Sequence, residues 1–386
     1  MKPAARLSLL PPYLFAELDR LKREIAAKGV DVISLGIGDP DLPTPQYIVD
    51  GLKRAADDPI NGRYPDYEGL ERFRDAAAKW YLRRFAVKLN PEREVCALLG
   101  SKEGIANFAT AVIDPGDIAL IPDPGYPVYF SGCVFNGGEP YFMPLRHENG
   151  FMPDLASIPS EIARRAKLMW LNYPNNPTAA TADGPFFQEA VNFCLKHNII
   201  LAHDLAYSEI AYDGYRAPSL LEVDGARECV IEFHSLSKTF SMTGWRVGFV
   251  VGNSELIRAL GLVKTNMDSG VFQAVQEAAI IALSGGEEKI QEYCAIYQQR
   301  RDLMIGLLRK LGLACEIPRA TFYIWARTPA GYSSVSFTER VLKEAGVVIT
   351  PGSGFGKSGE GFVRFSLTVS SERLNEAVSR LTALRM

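Results

Sequence analysis

The sequence predicts an α/β fold: a three-layer large domain on a mostly parallel sheet, with a smaller α+β domain beside it. Three observations predict it. The chain has 386 residues, 47% of them hydrophobic, more than a single small core needs, so two packed domains are expected. Short continuous apolar runs alternate with helical patterns, the pattern of strands buried on both faces and separated by crossover helices. From about Gln291 onward that alternation gives way to a long helix, separated strands and a last helix.

The elements follow in order. Leu70, Phe73, Ala77, Trp80 and Tyr81 fall on one face of Leu70–Phe85, which reads as an amphipathic helix. Glu94–Leu99 reads as a buried strand, and Gly100-Ser101-Lys102 opens a helix to about Ile113. Further strands are expected at Ile118–Ile121, Leu168–Leu171, Ile199–Ala202, Val230–Phe233 and Val247–Val251. The long helix from about Gln291 carries Gln298, Arg300, Arg301 and Lys310. Phe322–Trp325, Val347–Ile349 and Phe362–Ser366 then read as strands, and a final helix starts near Ser371. The expected division is a large domain over 48–288 and a small domain formed by 1–47 with 289–386.

Composition excludes several classes of function. A formal net charge of −3 with 23% charged residues offers no polyanion-binding surface. The six cysteines are scattered without a C-x-x-C pair, as in reduced thiols of a cytosolic protein. The four histidines lack H-E-x-x-H spacing, so no metal site is expected. Lys2 and Arg6 before Leu7, Leu9 and Leu10 begin like an export signal. Pro11-Pro12 interrupts that run, and Glu17 and Asp19 follow. No run of eighteen apolar residues exists to span a membrane, and the expected address is the cytoplasm.

In open α/β sheets ligands bind beyond the carboxyl ends of the strands. The polar residues there are Ser101, Lys102, Tyr126, Asn176, Asp204, Tyr207, Ser235, Ser237 and Lys238, with Arg246 eight residues after the lysine. The set lacks the histidine or cysteine of a hydrolase triad. It suits a phosphorylated aromatic aldehyde. Ser235, Ser237, the amides near Ser101 and Arg246 can cradle a phosphate dianion. Tyr126 can stack on a ring, Asp204 can pair with a pyridinium nitrogen, and Tyr207 and Asn176 can bond a ring hydroxyl. Lys238 can form an imine.

Each residue has a plainer reading when taken alone. A lysine after a serine is usually solvated, an aspartate at a strand end is usually a helix cap, and a tyrosine beside proline is usually a turn residue. Their joint spacing argues for the site. Two lookalikes fail. Gly352–Ser358 nearly spells a phosphate-binding loop, but Pro351 stands at its first glycine and a strand follows where a helix is needed. Gly36–Asp41 is no dinucleotide fingerprint, because Asp41 occupies the third glycine position.

Ser235-Leu236-Ser237-Lys238 with Gly244-Trp245-Arg246-Val247-Gly248, Asn176-Pro177-Thr178, Asp204-Leu205-Ala206-Tyr207 and Gly36-Ile37-Gly38-Asp39-Pro40-Asp41 together resemble the fold type I, aspartate-aminotransferase-like pyridoxal-phosphate enzymes. The resemblance runs over nearly the whole chain. It implies pyridoxal 5'-phosphate held as a Schiff base on Lys238, which also moves the Cα proton, and an amino acid and a 2-oxo acid as substrates. Arg364 and Gly38 then belong at the substrate α-carboxylate. Tyr64 matches the tyrosine that reaches the neighbouring subunit's phosphate, which implies a homodimer with shared sites.

Within that family the segments around Tyr64–Gly69, Ser101, Tyr126 and Asn176 look most like the LL-diaminopimelate aminotransferases of lysine biosynthesis. That likeness places Tyr13, Lys102 and Asn266, with Tyr126 and Asn176, around the substrate. Tyr67 stands where plant-like members carry a glutamate, leaving Asp66 or Glu68 as candidate partners for a distal ammonium. Transamination of alanine, aspartate or a broad range of amino acids is the alternative, and a C–S lyase on the same fold a remoter one. Ala179 replaces the family's usual glycine after N-P-T, which is tolerable if its φ is negative.

Overall fold

The computed structural model describes residues 2–10, 20, 22–27 and 29–384. The strands are β1 (Ile33–Ser34), β2 (Val95–Leu98), β3 (Ile118–Asp123), β4 (Glu139–Pro144), β5 (Ala166–Leu171), β6 (Ile200–Asp204), β7 (Val230–Ser235), β8 (Gly248–Gly252), β9 (Tyr323–Arg327), β10 (Val347–Val348), β11 (Thr350–Pro351) and β12 (Phe362–Ser366). Among the described residues they form three sheets. The largest has the order β2-β8-β7-β6-β5-β3-β4. Its members from β4 to β7 are parallel, and β8 runs antiparallel to both β7 and β2.

β2, β3 and β7 are buried along their whole length, as unbroken apolar runs require. Each face of the sheet packs on its own core. Phe187, Val191, Leu201, Tyr81 and Phe249 belong to one, and Phe108, Tyr129, Trp170, Phe233 and Leu260 to the other. Helices Glu71–Phe85 and Gly184–His197 contribute to the first core, and Ser101–Val112 and Ser254–Met267 to the second. Asp183 starts Gly184–His197 by accepting from Phe186 N at 3.0 Å, with Pro185 inside the first turn.

A second sheet, β11-β12-β9, is antiparallel, and β1 pairs in parallel with β10. These strands share a core with the 24-residue helix Glu287–Lys310 and the last helix Ser371–Thr382, through Ile33, Leu35, Met304, Leu308, Ile324, Phe365 and Leu374. The chain therefore contributes its first and last segments to one core. β4 is absent from the strands expected from sequence. It carries Pro140 and Pro144, pairs only with β3 and exposes much of its length, so it is an edge strand without the apolar run of its neighbours.

Candidate active site

The sheet brings the predicted residues to the carboxyl ends of β5, β6 and β7. β7 ends at Ser235, whose Oγ caps a single helical turn, Leu236–Thr239, by accepting from Ser237 N at 3.2 Å. That turn carries Lys238. Its Nζ donates to Gly38 O at 3.1 Å and lies 5.9 Å from the centre of the Phe322 ring. Burial lowers its pKa to about 8; nearby Asp39 opposes the shift, and Arg246 and Arg364 add to it. An amine so placed exchanges protons near neutral pH, as a general base requires.

Asp204 closes β6 and is buried. Its Oδ2 accepts from Tyr129 Oη at 2.8 Å. Its Oδ1 has no hydrogen-bond partner among the described residues. Burial raises the pKa of this carboxyl, while Tyr129 and His203 hold it down. A buried carboxylate oxygen left open in this way needs a donor, and a protonated ring nitrogen is one that fits.

Asn172 ties the two loops beside Asp204 together. Its Nδ2 donates to Asp204 O at 2.7 Å, and its Oδ1 accepts from Asn176 N at 2.8 Å. Asn176 Oδ1 in turn accepts from Arg364 Nη1 at 2.6 Å. Arg364 is buried in the middle of β12 and also donates to Gly36 O at 2.7 Å. Its guanidinium lies 4.2 Å from the centre of the Tyr323 ring and 4.6 Å from that of Phe355. Tyr323 Oη shares a hydrogen bond with Tyr207 Oη at 2.9 Å. The same tyrosine leaves no room for a Cβ at Gly38, which is why a glycine stands there.

The expected phosphate end lies at the start of Ser101–Val112. Gly100 has φ +80° and offers no side-chain cap, so the first-turn amides face outward for an anion. Arg246 adopts φ 55°. It donates to Thr243 O at 2.8 Å and Leu99 O at 3.2 Å, with its guanidinium packed over Gly100. Lys102 Nζ lies 6.0 Å from the centre of the Tyr126 ring.

Other expected residues stay outside this cluster in a single chain. Tyr64 is 87% exposed. Asn266 is exposed, with its Nδ2 on Leu262 O at 2.9 Å. Tyr67 is exposed, and Glu68 lies against Gly261. Tyr13 lies outside the described residues. One expectation is overturned. Ala179 has φ 60°, not a negative value. Its N–H closes a turn onto Asn175 O at 2.9 Å, and Asn175 N reaches Ala180 O at 2.9 Å, so the turn imposes the left-handed conformation that glycine would adopt without strain.

Sequence reasoning missed Tyr129, Tyr323 and Asn172. Tyr129 was legible in principle, because it follows Tyr126 by one helical turn in Pro127–Phe135. Tyr323 acts on Tyr207 and Arg364 through tertiary contacts that carry no local signal, and Asn172 reaches Asp204 in the same way, although its bond from Asn176 N is local.

A lysine on a one-turn helix and a buried aspartate with one oxygen open, both from the large sheet, thus meet a buried arginine from β12 of the second sheet. The family pattern of aminotransferases of class I and II matches residues 30–381. The chain belongs to the class I and II aminotransferases. It is 57% identical over 381 residues to the LL-diaminopimelate aminotransferase of Syntrophobacter fumaroxidans, covering 99% of this chain and 98% of that one. It is 56% identical to the Moorella thermoacetica protein of the same name, again over 99% and 98%. Among solved structures, substrate-bound BacF from Bacillus subtilis matches with TM-score 0.94 and 39% identity over 99% of this chain and 97% of that one. A probable N-succinyldiaminopimelate aminotransferase from Thermus thermophilus matches with TM-score 0.90 and 37% identity, over 96% and 99%. As an aminotransferase, the chain takes an amino acid and a 2-oxo acid as substrates.

Proposed function

We propose that this aminotransferase uses pyridoxal 5'-phosphate to move the amino group of LL-diaminopimelate to 2-oxoglutarate, a step of lysine biosynthesis, as a cytoplasmic homodimer. One observation carries the cofactor: buried Asp204 with an open Oδ1 stands at the end of the strand beside the one that leads into Lys238. Asp204, Tyr207, Asn176 and Tyr126 would hold the ring. Ser235, Ser237, Arg246 and the amides at Ser101 and Lys102 would hold the phosphate. When bound, the cofactor supplies an electron sink for the carbanion formed at the substrate Cα.

The chain's own residues do the rest. Asp204 Oδ1 would accept a hydrogen bond from the ring nitrogen and hold that proton. Arg364, already fixed by Asn176 and Gly36, grips the α-carboxylate and orients the Cα–H bond. Lys238 Nζ would take the Cα proton and return it to the carbon on the other side of the substrate nitrogen. The carbonyl of Gly38 accepts from Nζ and fixes the amine in the cofactor-free chain.

The donor assignment rests on full-length identity to relatives of that name. Lys102, Tyr13, Tyr67 and Asn266, with Asp66 or Glu68, would meet the distal ammonium and carboxylate. The homodimer is supported by Tyr64, Leu262, Met267 and Phe272, apolar side chains that are each at least half exposed in the single chain. The cores on the two faces of the large sheet, distinct from the core through Ile33, Met304 and Phe365, support a division into 48–288 and 1–47 with 289–386. The cytoplasmic address is supported by scattered unpaired cysteines. Separately, no helix among the described residues is long and apolar enough to cross a membrane.

A donor panel tests the proposal. LL-diaminopimelate, meso-diaminopimelate, alanine, aspartate and lysine are each assayed with 2-oxoglutarate, with absorbance of the enzyme followed in single turnover. LL-diaminopimelate should exceed the others in kcat/KM by roughly tenfold or more for each unpaired polar group at the far end. Equal turnover of alanine or aspartate removes the donor assignment. Release of pyruvate and ammonia in place of amino transfer favours a lyase.

A further inference from the structure

Lys264 is the one charged side chain of helix Ser254–Met267 that is wholly buried among the described residues, and nothing in the site described so far uses it. Removing an ammonium from water is unfavourable unless partners compensate. Here they do. Lys264 Nζ donates to Glu103 Oε1 at 3.1 Å and to Asp268 Oδ2 at 3.0 Å. Both partners then lead away from the core.

Glu103 stands in the first turn of Ser101–Val112, yet its carboxylate does not cap that turn. Oε2 reaches back to accept from Leu99 N at 2.8 Å, and Oε1 also accepts from Asn107 Nδ2 at 2.5 Å. Leu99 is the residue whose carbonyl receives Arg246 Nη2 at 3.2 Å. Gly100, next in the chain, is the residue over which the Arg246 guanidinium packs. A continuous path thus runs from Lys264 through Glu103 and Leu99 to Arg246. On the other side, Asp268 Oδ1 accepts from Gly270 N at 2.8 Å. Gly270 backs onto the Pro65–Tyr67 segment, next to Tyr64.

We infer that Lys264 is a positioning residue for the phosphate end of the cofactor site: through Glu103 it fixes the Leu99–Ser101 turn on which Arg246 is seated. Two physical effects combine. The ammonium holds the Glu103 carboxylate against Leu99, and so sets where the open first-turn amides and Arg246 point. It also offsets a negative charge that would otherwise stand unpaired beside a phosphate dianion. The inference rests on the phosphate reading of Arg246 and the Ser101 turn, and predicts that Lys264 matters for the phosphate and not for the ring.

The test is a titration of the cofactor-free enzyme with pyridoxal 5'-phosphate and, separately, with pyridoxal, which lacks the phosphate. The ratio of the two Kd values isolates the phosphate contribution. Lys264→Met should shrink that ratio by about tenfold, the loss of one charge-assisted contact. Lys264→Arg should retain most of it. Glu103→Gln, which preserves shape and an acceptor for Leu99, should shrink it less than Lys264→Met and serves if the methionine variant does not fold. Arg246→Ala is the control. A ratio lowered by Arg246→Ala but unchanged by both Lys264→Met and Glu103→Gln overturns the role of Lys264 alone. A ratio unchanged by Arg246→Ala overturns the phosphate reading, and this inference with it. Equal weakening of both ligands in the Lys264 and Glu103 variants marks a merely structural ion pair and also overturns it.

Discussion

Tyr129 Oη donates to Asp204 Oδ2 at 2.8 Å, so one carboxylate oxygen is satisfied while Oδ1 has no partner among the described residues. The bond favours the ionised carboxylate against the burial that would neutralise it. Tyr129→Phe keeps the stacking on Trp170, whose ring centre is 5.0 Å away, and deletes only the donor. The expected result is a fall in kcat/KM of roughly tenfold, from the loss of one hydrogen bond to a charged group, with little loss of thermal stability. Steady-state kinetics and a denaturation midpoint check it. Unchanged kinetics would remove Tyr129 from any part in tuning Asp204.

Lys238 carries a conflict between function and stability. Its pKa falls from 10.5 to about 8 because the amine is enclosed, a difference of about 3 kcal/mol against the folded, protonated state. The unfolded chain binds the proton more tightly, so that cost is fully present below the folded pKa. It disappears as pH rises from about 8 towards 10.5. Lys238→Met should therefore stabilise the cofactor-free chain at pH 7 by up to about 3 kcal/mol, with the gap closing by pH 10. Urea unfolding across that range measures it. Acylation of Lys238 in the same cofactor-free protein should titrate near the lowered value, and labelling that titrates like an ordinary lysine would contradict it. Borohydride fixation of the cofactor should mark the Lys238 peptide and leave Lys238→Ala unmarked.

What was legible in the sequence divides by how local the signal is. β3, β5, β6 and β7 announce themselves as apolar runs, and Lys238, Asp204 and Asn176 follow at their ends because ligand sites in such sheets lie there. β4 escaped because two prolines break its pattern, and β1 and β11 because two residues are too short for any period. Asn172 and Tyr323 escaped for another reason: they touch Asp204, Arg364 and Tyr207 across the fold, at sequence separations no local pattern spans. The φ of Ala179 failed on turn chemistry, since nothing beside it signals the bond to Asn175 O.

Ala179 offers a direct test of that correction. A left-handed conformation costs a non-glycine residue roughly 1–2 kcal/mol, while glycine adds about 0.4–1 kcal/mol of unfolded-state entropy. Ala179→Gly should thus stabilise the protein by about 0.5–1 kcal/mol, with kinetics unchanged. A lower denaturation midpoint in the variant would count against a strained turn.

The sequence near Gly352–Ser358 that imitates a phosphate loop has a different use. Asp123 at the end of β3 accepts from Ser358 Oγ at 3.0 Å and Ser358 N at 3.2 Å, and Gly125 N donates to Phe355 O at 2.9 Å. Phe355 lies under Arg364, and Gly125 precedes Tyr126. The loop therefore locks the arginine's floor to the turn that bears Tyr126. Ser358→Ala and Asp123→Asn should raise KM for amino acid and 2-oxo acid together, by roughly threefold to tenfold, and change cofactor Kd by less. A change confined to cofactor Kd would assign the loop to the cofactor instead.

The proposal of shared active sites turns on Tyr64, exposed in the single chain and held near helix Ser254–Met267 through Gly270 and Pro65. If Tyr64 completes the phosphate site of a second copy, neither Tyr64→Ala nor Lys238→Ala homodimers contain a whole site. In a hybrid of the two, the subunit bearing Tyr64→Ala keeps its own Lys238 and receives Tyr64 from its neighbour, so one of its two sites is intact. Mixing the variants under subunit exchange, with the hybrid isolated by differential tags, should recover up to about half of wild-type kcat per dimer, because one of two sites is native. The recovered activity should show wild-type KM, since the surviving site has every native residue. A hybrid proven by mass to contain both chains, yet as inactive as its parents, would place Tyr64 in the site of its own chain or in none.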